Sequence, residues 1–202
     1  MPTCFGASVQ PLPPPGRLFG QAYTSERASG AIVTADRGLR RALAEVTAAT
    51  FGGDSGNYHL LKAEAAWFGG DSSTRLAQAD SARRWIETAV RAAPRDGLLL
   101  WQLGVAYSQL GHHEEAVKIG RRAVSLLPVS SNADQAPFVL IKLAQSYMRA
   151  GQADSAVTLL GPLLSIPSEL SQAALRADPT WVPLHEHPRF RKLVGTASSL
   201  IN

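Results

Sequence analysis

Gly53-Asp54-Ser55-Gly56 sets a serine hydroxyl beside a carboxylate in a glycine-rich turn, and His59 follows close behind. A serine becomes a nucleophile when a histidine takes its proton and a buried carboxylate orients that histidine, so the residue types for acyl transfer stand together here. Geometry makes such a triad, and neighbourhood in sequence supplies none of it. The segment Phe51-Gly52-Gly53-Asp54-Ser55 also recurs as Phe68-Gly69-Gly70-Asp71-Ser72. Used twice, it reads as a turn between helices: glycine accepts the left-handed conformation after a helix, and Asp or Ser caps the next one.

Other chemistry is thinner. His112, His113, Glu114 and Glu115 supply metal-donor types. Adjacent histidines at a helix start point to different sides, however, and Glu114 and Lys118 have the spacing of a surface pair. His185 and His187 face one way on an extended chain but lack a third ligand nearby. The tetrad at 53–56 resembles the nucleophile turn of chymotrypsin-like proteases, whose many short strands are missing from the pattern here. Gly52-Gly53-Asp54 is similar to the diguanylate cyclase triplet, with Ser55 where that motif has glutamate. No glycine-rich phosphate loop follows a strand, and no kinase catalytic-loop signature occurs. The expectation is a chain with no catalytic residue, no cofactor and no metal, with a Ser55 hydrolase as the minor alternative.

The 202 residues suffice for one ordinary domain, and a hydrophobic content of 45% is that of a globular protein. Cys4 alone excludes an intramolecular disulfide. The N-terminal stretch lacks a basic region followed by an apolar run, which points to a cytoplasmic chain without a leader or membrane span. A net charge of +4 invites a nucleic-acid reading. Yet Arg83, Arg84, Arg91, Lys118, Arg121 and Arg122 alternate with Glu87, Glu114 and Glu115 on what should be solvent faces, so neither a nucleic-acid nor a membrane partner is expected.

Residues 1–34, with Pro11-Leu12-Pro13-Pro14-Pro15, show no sustained period and read as a flexible tail. Leu39, Leu43, Val46 and Ala49 form one stripe and predict a helix over 36–50. Tyr58, Leu61, Ala65 and Phe68 suggest the apolar side of a short helix, and Ala82, Ile86 and Ala89 mark a longer one ending before Pro94. Two later stretches superimpose. Leu100, Leu103, Gly104, Tyr107, Gly111, Ala116, Gly120, Ala123 and Pro128 match, in order and offset, Leu140, Leu143, Ala144, Tyr147, Gly151, Ala156, Leu160 and Leu163, with Pro167 one place short.

This pattern resembles the tetratricopeptide repeat, a pair of antiparallel helices in about 34 residues with small residues at the crossing and a proline at the exit. The resemblance implies an all-α, right-handed antiparallel helix-pair solenoid over 35–202. It divides into a degenerate repeat at 56–95, repeats at 97–130 and 137–168, and a C-terminal cap at 169–198. Gly161-Pro162 predicts a kink or early end in the last repeat. The cap should start as a helix at Ser168 and break at Asp178-Pro179, burying Trp181, Leu184, Phe190 and Leu193.

Asp178-Pro179-x-Trp181-x-Pro183-Leu184, followed by Pro188-Arg189-Phe190-x-x-Leu193, is similar to the closing segment of bacterial tetratricopeptide proteins. In that family, such arrays often form the C-terminal part of serine/threonine kinases and nucleotide cyclases. The family further implies that ligand-facing side chains come from the first helix of each repeat. Here these are Leu98, Trp101, Val105 and Ser108, then Phe138, Ile141, Lys142, Gln145 and Met148. A mainly apolar lining suits a protein or peptide partner. The same lining equally suits cover by the chain's own N-terminal helix or C-terminal cap.

Overall fold

The computed structural model describes residues 54–168 and 170–195. The tail expected over 1–34 and the helix expected over 36–50 lie outside these. In chain order come α1 (Ser55–Phe68), α2 (Ser72–Ala92), α3 (Gly97–Leu110), α4 (His113–Leu126), α5 (Ala136–Arg149), α6 (Ala153–Leu163) and α7 (Gln172–Ala177). A 3₁₀ helix (Pro179–Leu184) and α8 (Pro188–Val194) follow. Every regular element among the described residues is helical.

The turns do what their residues dictate. Asp54 accepts the Asn57 N–H at 3.0 Å, and Asp71 accepts that of Thr74 at 2.9 Å, each satisfying a donor the first helical turn leaves free. The recurring Gly-Gly-Asp-Ser therefore acts as a connector. At the exits of α3 and α5, Gly111 and Gly151 hold φ of 85° and 73°, a conformation that costs a side-chain-bearing residue about 1 kcal/mol or more.

Consecutive helices pack as pairs, α1 on α2, α3 on α4 and α5 on α6, and each pair meets the next through α2–α3 and α4–α5. The first helices also touch in sequence, α1 on α3 and α3 on α5. No pair can cover its apolar face alone, and the buried residues fall into two clusters, one around Leu60, Ile86, Leu100 and Trp101 and one around Leu143, Leu160, Trp181 and Phe190. Close approach needs small residues: a Cβ on Gly104 would lie 3.3 Å from the Ala116 carbonyl and 3.4 Å from the Gly120 nitrogen.

Two local expectations change, and the expected early end at Pro162 holds. The fully buried stripe of α1 runs through Leu60 and Ala63, while Tyr58, Leu61 and Ala65 are only partly covered and the Phe68 side chain lies outside the described set. α1 thus sits rotated from its apparent apolar side, toward Ile86 of α2, which leaves no room for a Cβ on Gly56. α6 carries Pro162 and ends at Leu163, because proline offers no N–H to the Thr158 carbonyl. The next helix begins at Gln172 with Ser171 as its cap; Ser168 instead donates to the Leu163 carbonyl and accepts from the Leu170 N–H, closing a turn.

The break at Asp178-Pro179 is present, and Asp178 caps the 3₁₀ helix through the Thr180 N–H. Leu175, Trp181, Leu184, Phe190 and Val194 are buried in one cluster with Val157, Leu160 and Leu163 of α6. Each such large side chain contributes about 1.5–3 kcal/mol by leaving water, which explains a terminal segment so rich in bulky residues.

Candidate functional site

Of the nine family-implied positions, Leu98, Trp101, Val105 and Ser108 stand on α3, and Phe138, Ile141, Lys142, Gln145 and Met148 on α5. The two helices touch one another. Trp101 and Phe138 meet edge to face with ring centroids 5.0 Å apart. This arrangement places the positive ring edge on the negative face. Lys142 Nζ lies 5.5 Å from the Phe138 centroid and 3.3 Å from Glu64 Oε1. Glu64 is on α1, so this contact reaches across from the first pair to the third. Both side chains are buried, at 7% and 9% exposure.

A second link lies one turn further along. The Arg149 guanidinium donates to Ser108 Oγ at 3.3 Å and sits 4.9 Å from the centroid of a Trp67 ring. The floor is closely packed: Trp101, Val105, Ser108, Ile141, Lys142 and Gln145 are all buried. The void among Trp101, Gly104, Val105, Lys142 and Ser146 holds only about 10 Å³, at or below the size of one water. Leu98, Phe138 and Met148 are half-exposed and form the accessible part.

Glu64, Trp67 and Arg149 belong to this network and were not nominated from sequence. Arg149 continues the spacing of Lys142 and Gln145 along one helical face, a signal that was there to be read. Glu64 offered none, since its partner is 78 residues away.

The array also carries a tyrosine lock between pairs. Tyr107 donates to Glu87 of α2 at 3.0 Å, and Arg121 of α4 donates to the Tyr147 hydroxyl. Burial, then the bond to Glu87, holds the Tyr107 phenol above its ordinary value of 10.0.

The other candidate groups are dispersed. Both Asp54 oxygens serve Asn57, one through its N–H at 3.0 Å and one through Nδ2 at 2.6 Å, while His59 Nδ1 lies 2.8 Å from Gln78 Oε1. Carboxylate and histidine thus serve separate partners. His112 stacks on Tyr107 and His185 on Phe190, whereas His187 Nε2 reaches Asp154 at 3.3 Å. Among the described residues no three His, Cys, Asp or Glu side chains are grouped to hold a metal ion. None of the described helices is long and apolar enough to cross a membrane.

Residues 99–128 match the family model of the tetratricopeptide repeat, a span that runs through α3 and α4 to the exit proline. No curated protein matches the chain. Repeats of this family generally mediate protein–protein interaction and are generally non-enzymatic.

Proposed function

We propose that this tetratricopeptide-containing chain is a non-enzymatic protein-binding module whose partner, a peptide or a domain, seats on the shared face of α3 and α5. What supports this reading is the edge-to-face contact of Trp101 and Phe138 across two adjacent first helices, beside the partly exposed Leu98, Phe138 and Met148. Because the floor is packed, the partner engages Leu98, Phe138 and Met148 first, and rim charges such as Arg149 set its approach.

Site-specific photo-cross-linking in lysate tests the reading, with the reactive group placed at Met148 or at exposed Lys118 on α4. A partner captured from position 148 and absent from 118 supports it; capture from 118 alone overturns it. A second reading makes the array the scaffolding or sensory region of a larger serine/threonine kinase or nucleotide cyclase. What favours it is the likeness of the closing segment around Trp181 and Phe190. It predicts a catalytic domain encoded in the same or an adjoining reading frame.

A further inference from the structure

Away from the α3–α5 face, residues of α6 and α8 line an open cleft of about 450 Å³: Val157, Thr158, Gly161, Pro162, Arg189, Lys192 and Leu193. That volume lies within the roughly 300–1,000 Å³ of clefts that hold ligands. None of the nine first-helix residues lines it.

Two features of the cleft agree on one occupant. Its floor is apolar, with buried Val157, half-buried Leu193 and a gap at Gly161, where an added Cβ would find only Leu193 Cδ1, at 3.9 Å. The rim is cationic: Arg189 and Lys192 lie one turn apart on α8, both exposed. The carboxylate in contact with that rim is Asp154, 3.4 Å from Arg189 and also bound by His187, while Arg189 further donates to Thr158 Oγ1 at 3.2 Å. No lining residue is acidic.

We propose that the α6–α8 cleft docks a short acidic peptide of a partner protein, which inserts one large apolar side chain against Gly161 and sets its carboxylates beside Arg189 and Lys192. Apolar burial gives the anchor, and the cationic rim selects acidic flanks and speeds encounter. The site stands whether or not the α3–α5 face binds anything.

The test is selection of a random dodecapeptide display library on the full chain, followed by fluorescence anisotropy of the selected peptides. Gly161→Leu reaches into the cleft, where an added Cβ meets only Leu193 Cδ1 at 3.9 Å, and a thermal melt against the unaltered chain checks that it folds, since the residue before Pro162 is constrained. The expected result is enrichment of sequences with one large apolar residue flanked by Asp and Glu. Their binding weakens at least about tenfold in Gly161→Leu and in Arg189→Glu/Lys192→Glu, falls with added salt, and is unchanged in Met148→Glu. Selection without acidic-apolar enrichment, or peptides that bind Gly161→Leu as well as the unaltered chain, overturns the proposal. Loss in Met148→Glu alone assigns the peptides to the α3–α5 face and overturns it as well.

Discussion

The helix pairs α3–α4 and α5–α6 obey one residue pattern and pack differently. Gly104 and Gly120 allow α3 and α4 to approach almost to backbone contact, whereas the matching positions of the second pair are Ala144 and Leu160, both fully buried. The reason lies in what comes next. Leu143 of α5 sits over Gly120, where a Cβ would come within 2.9 Å of its Cδ1. Leu160 faces the terminal cluster with Trp181 and Phe190 and fills that space itself. The tyrosine lock shows the same freedom: Tyr107 gives its hydrogen bond to a carboxylate, and Tyr147 receives one from a guanidinium. The pattern fixes which positions turn inward, while the neighbouring pair decides how large each side chain is and which charge it meets.

The sharpest break in that comparison is at Lys142, whose counterpart in α3 is the neutral Gln102. Lys142→Gln makes the second pair read like the first and leaves Glu64 buried without its cation. In urea denaturation it should lose about 3–5 kcal/mol, and adding Glu64→Gln should restore most of that. A single variant as stable as the parent would remove the pair from the energetics. Next, Gly104→Leu should lose about 3 kcal/mol through overpacking at the Ala116 carbonyl, while Ala144→Gly should lose only about 1.

Tyr107→Phe and Tyr147→Phe should each cost about 1 kcal/mol, read as a shift in the denaturation midpoint. The two differ in pH response. The folded state holds the Tyr107 proton above the value of 10.0 for a free phenol, so above that pH the unfolded chain binds fewer protons. Stability therefore falls as pH rises through the raised folded value, and Tyr107→Phe should flatten that alkaline loss. The smallest effect concerns helix starts. Asp96 caps α3 by accepting the Leu98 and Leu99 N–H groups, but Gln135 gives α5 no side-chain cap. Gln135 has helical backbone ahead of Pro137, which offers no N–H, so the cap is tested at α3, where Asp96→Ala should lower stability by roughly 0.5–1 kcal/mol in thermal melts.

Elements set by local chemistry were legible in the sequence. Asp54 and Asp71 announced their caps, Gly111 and Gly151 their turns, Pro162 the short α6, and the bulky run from Trp181 to Phe190 a packed end. Failures came where a distant neighbour decides. Tyr58, Leu61 and Ala65 have helical spacing, but Ile86 across the turn pulls Leu60 and Ala63 inward instead. Ser168 is a sound capping residue whose hydroxyl finds the Leu163 carbonyl first. The family-implied residues stand on two touching helices, and Trp101 and Ile141 among them are buried, which the sequence did not signal. The cleft at Gly161 was equally hidden, since residues of α6 and α8 line it together.

The Glu64–Lys142 bridge bears on how the array comes apart. Stacked repeats ordinarily fray from their ends, each unit held only by the next, so amide exchange is fastest at the termini and slows toward the middle. A tie from the first pair to the third skips the central unit. Opening α1 separates the Glu64 carboxylate from Lys142 on α5, so the first described pair does not peel away at its own small cost. Over the span from Glu64 to Lys142 the solenoid should exchange its amides in one concerted opening, and in that stretch it behaves as a closed ring and not as a zipper.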